Sequence, residues 1–136
     1  MSELSKEVVN DLSSLEVVVP DFRVQEKDIV FRRVGEVFQT RKSEIIGKAQ
    51  TAHIVRGRFA AIYLMNKLRK RSSPTLGRIF GGRDHTTILT ALKRVKTLLL
   101  SDPDFVERLR IAEELVYQDI EHLKARPIEP AQVRVY

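Results

Sequence analysis

The sequence predicts an all-α fold built around a helix-turn-helix, on three observations. Apolar residues recur at three- and four-residue intervals along most of the chain, and no convincing sheet pattern interrupts them. Two short helical segments flank the pair Gly81-Gly82, following a helix and a basic loop. Positive charge is concentrated in the middle of the chain. Residues 29–98 hold 16 Lys and Arg against three acids (Glu36, Glu44 and Asp84), whereas residues 1–28 and 99–136 are both net acidic. The formal charge of +6 therefore hides a middle segment of +13, which points to a polyanionic partner for that segment.

Composition narrows the classes. With 43% hydrophobic and 31% charged residues in 136, the chain is expected to be one globular domain, too short to add a nucleotide-hydrolysing domain. It has no cysteine, which excludes disulfides and thiol-based metal or redox sites. Apolar runs such as Val17-Val18-Val19 and Leu98-Leu99-Leu100 are far short of a membrane span, and no signal-peptide pattern occurs at the N-terminus. The expected location is the cytoplasm, in association with the nucleoid.

The elements follow in order. Leu4, Val8, Val9, Leu12 and Leu15 predict a short amphipathic helix within an acidic extension, 1–28. Asp28 is a suitable N-cap for a helix carrying Ile29, Val30, Val34, Val37 and Phe38. Ser43 begins a single turn with Ile45 and Ile46, which Gly47 can close in the left-handed region. Residues 53–68 are apolar around most of the helix surface, from Ile54 to Leu68, and form the central buried helix. Gly57 there suits a close approach. Phe59, Tyr63 and Phe80 read as core.

Arg69-Lys70-Arg71 leads into a short helix with Ser73 as N-cap and Pro74 at its first position, ended by Gly81-Gly82. Asp84 caps the next helix, to residue 100, with Ile88, Leu89, Leu92, Val95 and Leu99 as its inward stripe. Ser101-Asp102-Pro103-Asp104 breaks the chain before an amphipathic helix over 101–126. Its apolar face is Phe105, Leu109, Ala112, Leu115, Val116, Ile120 and Leu123, able to pack on the domain or form a dimer interface. A tail, 127–136, follows. The DNA-binding unit is expected to span 29–100.

The second helix of a helix-turn-helix enters the major groove N-terminus first, so its first turn carries the base contacts. That turn offers Arg83, Asp84, His85, Thr86 and Thr87. An arginine can bridge guanine O6 and N7, a carboxylate can accept from cytosine N4, and threonine methyls can meet thymine methyls. Behind them Lys93, Arg94 and Lys96 are placed to approach phosphates, as is Arg71 in the basic loop. His53, His85 and His122 show no metal-ligand spacing, no nucleophile–base set stands out, and no cofactor is expected.

The run Leu76-Gly77-Arg78-Ile79-Phe80-Gly81-Gly82-Arg83-Asp84-His85-Thr86-Thr87-Ile88 resembles the signature I-G-x-x-F-G-G-R-D-H-T-T-V of the C-terminal DNA-binding domain (domain IV, Trp repressor-like) of the bacterial replication initiator DnaA. The likeness extends, more weakly, from about Val30 to Val95. It implies that the positions of Arg83, Asp84, His85, Thr86 and Thr87 read bases of an asymmetric element, the DnaA box. It further implies that Lys48, Arg58 and Ser73 lie at the phosphate backbone, a set that Arg56, Thr75 and Lys93 extend.

Two departures accompany the resemblance. Gln50 stands where the family places a minor-groove arginine, and Arg56-Gly57-Arg58-Phe59 replaces Arg-Pro-Arg-Gln. A less basic loop removes part of the electrostatic affinity. The chain also lacks a G-x-x-x-x-G-K-[ST] motif, so ATP binding is not expected, and the reading is a free-standing DNA-binding domain without the initiator's ATPase.

The expected function is sequence-specific double-stranded DNA binding that regulates replication initiation or transcription, without catalysis. A symmetric dimer would require half-sites about 10 bp apart or a multiple of that. The alternative is an interaction module that has weakened or lost specific DNA binding and regulates a replication protein. The terminal helices are open to a second copy of the chain or to such a partner.

Overall fold

A computed structural model describes residues 25–125. The helix expected over residues 3–15 and the tail from residue 127 lie outside the described residues. Residues Glu26–Ile120 form one compact unit.

The first helix, α1 (Glu26–Phe38), starts three residues earlier than an Asp28 cap implies. Asp28 therefore sits in the first turn with Glu26, where carboxylates complement the positive end of the helix dipole, and is not the cap. Ile29, Val30, Phe31, Val34 and Phe38 form its buried face. Gln39, at φ 57°, ends the helix in the left-handed region, and the Thr40 N–H donates back to the Gly35 carbonyl at 2.9 Å.

A single turn follows, α2 (Lys42–Ile46), with Ile45 buried. The Glu44 carboxylate accepts from the Arg41 N–H at its start (2.9 Å). Gly47 closes the turn at φ −83° and ψ −162°, extended rather than left-handed as expected. What demands glycine there is space, since a Cβ would lie 2.7 Å from the Ser43 carbonyl oxygen.

The long central helix α3 (Ala52–Leu68) buries Ile54, Ala60, Ala61, Ile62, Leu64 and Met65. Gly57 lets the Phe38–Thr40 corner approach, as its sequence context suggested; a Cβ there would lie 2.9 Å from Thr40 Cγ2. Phe59 and Tyr63 pack partly buried against the core. The basic loop that follows is held down, not free. Arg69 Nε donates to Glu26 (2.8 Å) and Arg71 Nη1 to the Met65 carbonyl (2.9 Å).

The next two helices make the helix-turn-helix. In α4 (Ser73–Ile79) the cap is Ser72, one residue before the expected Ser73, because it is the Ser72 hydroxyl that accepts from the Thr75 N–H (3.3 Å). Phe80 closes α4 fully buried, its ring 5.4 Å from that of Phe31. Gly81 and Gly82 then turn the chain at φ 82° and 76°, a conformation that costs an L side chain about 1 kcal/mol or more at each position. The Arg83 N–H donates to the Gly77 carbonyl at 2.8 Å across the turn.

The second helix of the pair, α5 (His85–Ser101), buries Ile88, Ala91 and Val95, with Leu92 and Leu98 partly covered. Leu89 and Leu99, expected in the inward stripe, are 45% and 37% exposed. The small Ala91 sets this rotation: it allows close packing on the Ile88–Val95 side and turns Leu89 and Leu99 outward.

Asp102 links the last two helices, since its Oδ1 accepts from the Phe105 N–H (3.1 Å) at the start of α6 (Pro103–Ala125). Phe105, Leu109, Ala112, Val116 and Ile120 join the core of the domain, while Leu115 is half-buried and Leu123 exposed. Burial of Phe105 alone stabilises by about 2 kcal/mol. Ion pairs reinforce the seat. The Arg33 guanidinium grips both oxygens of Asp119 (2.7 and 2.9 Å), Arg32 reaches the same carboxylate (2.8 Å), and Lys67 meets Glu113 (2.5 Å). The α6 helix thus packs on the domain.

Candidate nucleic-acid interface

The N-terminus of α5 is held by its own side chains. Asp84 is the N-cap, as its position after the glycine turn predicts; its Oδ2 accepts from the Thr86 N–H (3.1 Å) and from the Thr86 hydroxyl. Those hydrogen bonds, the hydroxyl's first, hold the Asp84 carboxyl below the usual range, so it is ionised at neutral pH. His85 Nδ1 lies 3.8 Å from Asp84 Oδ1. Asp84, His85, Thr86 and Thr87 are all exposed, with His85 at 55% of its side chain. One turn beyond, Thr90 is exposed on the same side, followed by Lys93, Arg94 and Thr97. Thr90 was not singled out from the sequence, although its three- and four-residue spacing from Thr87 and Thr86 was there to read.

Two arginines of the expected DNA-contacting set face inward. Arg58 is 5% exposed. Its Nε donates to the Ile45 carbonyl (2.6 Å) and its Nη2 to those of Glu44 (3.0 Å), Gly47 (3.1 Å) and Ala49 (3.0 Å). Arg83 is half-buried; its Nη1 donates to the carbonyls of Phe80 (2.6 Å) and Ile46 (3.0 Å), and its Nη2 to that of Gly47 (2.5 Å). Most of these carbonyls lie at the C-terminus of α2 and just beyond it, where cations are favoured, and Phe80 adds that at the end of α4. Burial pushes the Arg58 guanidinium below its ordinary pKa, and neighbouring Arg83 pushes the same way; burial alone lowers that of Arg83.

The remaining positions divide. Lys48 is exposed in the loop between α2 and α3, and Lys93 is exposed on α5. Ser73 and Thr75 are half-buried in the first turn of α4, where the Thr75 hydroxyl accepts from Ser72 (2.9 Å) and Arg78 (3.2 Å). Arg71 is folded onto Met65 and Arg56 is paired with Asp102 (2.6 Å), at the opposite end of α5 from its first turn. The structure brings together the loop carrying Lys48, the Arg58–Arg83 pair and the first turn of α5. It does not bring Arg56 to that group.

A short helix, a two-glycine turn and a second helix with a capped, exposed polar first turn define a helix-turn-helix domain, the class of module that lays its second helix in a DNA major groove. Residues 27–95 match the family described as "Bacterial dnaA protein helix-turn-helix", and the chain belongs to that family. Its similar relatives include the chromosomal replication initiator protein DnaA of Ruegeria pomeroyi, 43% identical over 86 residues, which are 61% of this chain and 18% of the relative. The protein of the same name from Cereibacter sphaeroides is 38% identical over 85 residues, 62% of this chain and 19% of the relative. That of Roseobacter denitrificans is 33% identical over 109 residues, 80% of this chain and 24% of the relative. The chain therefore spans about a fifth of the length of the relatives it matches.

Proposed function

We propose that the chain binds a defined double-stranded DNA sequence, related to the DnaA box, and controls replication initiation or transcription by occupying it. The observation that carries this reading is the first turn of α5. His85, Thr86 and Thr87 stand exposed above an ionised cap, at a helix end whose backbone amides and dipole favour a phosphate nearby. In this reading Asp84, His85, Thr86 and Thr87 meet base edges, and Thr90 extends the contact by one turn. Lys48, Ser73, Thr75 and Lys93 approach phosphates and set the register. Arg71 joins them by leaving Met65, whereas Arg56 stays paired with Asp102. Its role is recognition rather than catalysis.

The test is selection of bound duplexes from a random library, followed by a salt titration. The reading expects a defined motif bound far more tightly than random duplex, with affinity falling steeply as salt rises. An equal affinity for selected and random duplexes at every salt concentration contradicts it.

A further inference from the structure

The interior arginine pair has a consequence for that interface. The Gly47 carbonyl accepts from both Arg58 and Arg83. Between them the two guanidinium groups hold the carbonyls of residues 44, 45, 46, 47 and 49, from the last turn of α2 into the loop. Arg83 also holds the Phe80 carbonyl at the end of α4, and its own backbone N–H is tied to Gly77. The next residue is Asp84, the cap of α5. One side chain therefore spans the end of α4, the end of α2 and the loop, directly before the first turn of α5. Gly81 completes the contact, because a Cβ at that position would overlap the Ile46 carbonyl oxygen.

We infer that Arg58 and Arg83 are positioning residues: they lock the Gly47–Ala49 backbone against the helix-turn-helix turn, so that the Lys48–Thr51 loop and the first turn of α5 meet DNA as one rigid surface. This rests on the proposed DNA-binding function. Lys48, Gln50 and Thr51 are exposed on that loop, one lysine and two polar side chains suited to the backbone beside the helix. The planar fork of arginine is essential, since Arg83 must satisfy three carbonyls in different directions, which a lysine ammonium on its flexible stem cannot hold at once. The assignment places Arg83 behind the interface rather than on a guanine, and the two roles separate experimentally. Lysine can itself donate to guanine O6 and N7, so a direct reader tolerates Arg83→Lys and a three-way clamp does not.

The experiment compares wild type, Lys48→Ala, Arg83→Lys, Arg83→Gln and the Lys48→Ala/Arg83→Gln double variant on the duplex that the wild type selects, with folding checked by thermal melts. The clamp predicts that Lys48→Ala lowers affinity and that its effect disappears in the Arg83→Gln background, so the double variant binds no worse than Arg83→Gln alone. It also predicts that Arg83→Lys binds like Arg83→Gln, that both speed hydrogen exchange at amides 47–51, and that base preferences under the first turn of α5 persist. Full additivity overturns the clamp, as does a Lys48→Ala variant that binds like wild type. Loss of preference at a single guanine in Arg83→Gln, restored in Arg83→Lys, assigns Arg83 to base reading and overturns it too. If the wild type selects no duplex, the DNA-binding reading itself fails, a result distinct from a motif that Arg83→Gln leaves intact with loop exchange unchanged, which removes only the clamp.

Discussion

The side of the domain that seats α6 and the side that presents α5 handle positive charge in opposite ways. Where α6 docks, cations are matched to carboxylates: Arg32 and Arg33 to Asp119, Lys67 to Glu113, Arg56 to Asp102. Toward the first turn of α5, Arg58 and Arg83 are held by neutral carbonyls, which accept from them and leave their charge in place. Lys48, Lys93, Arg94 and Lys96 are exposed there without an ion pair to any described residue. The acidic segment thus neutralises the domain where a helix must pack and leaves uncompensated charge where a polyanion would arrive. The modest net charge of +6 is the sum of these two regimes.

That contrast can be broken by substitution. The largest effect is expected at Arg58. Replacing it with methionine takes the Arg58 donor from the Ile45 and Ala49 carbonyls, and should lower stability by about 3 kcal/mol in urea unfolding. Next comes the recognition turn. His85→Ala with Thr87→Ala should leave the urea midpoint nearly unchanged, because both side chains are exposed, yet weaken binding to the selected duplex by about 10-fold or more. Binding to random duplex should change little.

On the other side, Asp119→Asn should lower stability at neutral pH by about 2 kcal/mol without affecting DNA affinity. The pH dependence gives the sign. Hydrogen bonds from Arg33 hold the Asp119 carboxyl down at about 2, below its ordinary 3.8, so its stabilisation is complete above about pH 4 and is lost as pH falls toward 2. The Asn variant should lack that part of the acid transition. The smallest effect is expected for Asp84→Ala, which removes the cap of α5 and should cost about 1 kcal/mol of stability, read from the urea midpoint.

The sequence carried the local parts of this account well. The glycine pair, the Asp84 cap and the apolar wrap of the central helix depend on neighbours within a turn or two, and each is where its spacing placed it. Errors arose where distant packing decides. Two leucine-bearing faces of α5 were equally apolar in the sequence, and Ala91 against the core selected Ile88–Val95–Leu98 over Leu89–Leu99. Ser72 and Ser73 are interchangeable as caps until the backbone chooses one. Arg83 lies next to a recognition helix and reads as a DNA contact; beyond the local Phe80 carbonyl, its acceptors are carbonyls 36 and 37 residues away, which no local pattern announces. Arg33 and Asp119 are 86 residues apart, with nothing local to announce their pairing. The exposed first turn of α5 was legible because it needs only a cap and polar residues. The interior arginine pair was not, because it needs the end of α2.

The most direct measurement is a titration of the isotopically labelled protein with its selected duplex, following backbone amide shifts. Large shifts are expected at the Lys48–Thr51 loop, the first turn of α4 and residues 84–97, with α6 from Asp104 to Asp119, the ion-paired side of the domain, nearly silent. Large shifts along α6 with a silent first turn of α5 would contradict that pattern.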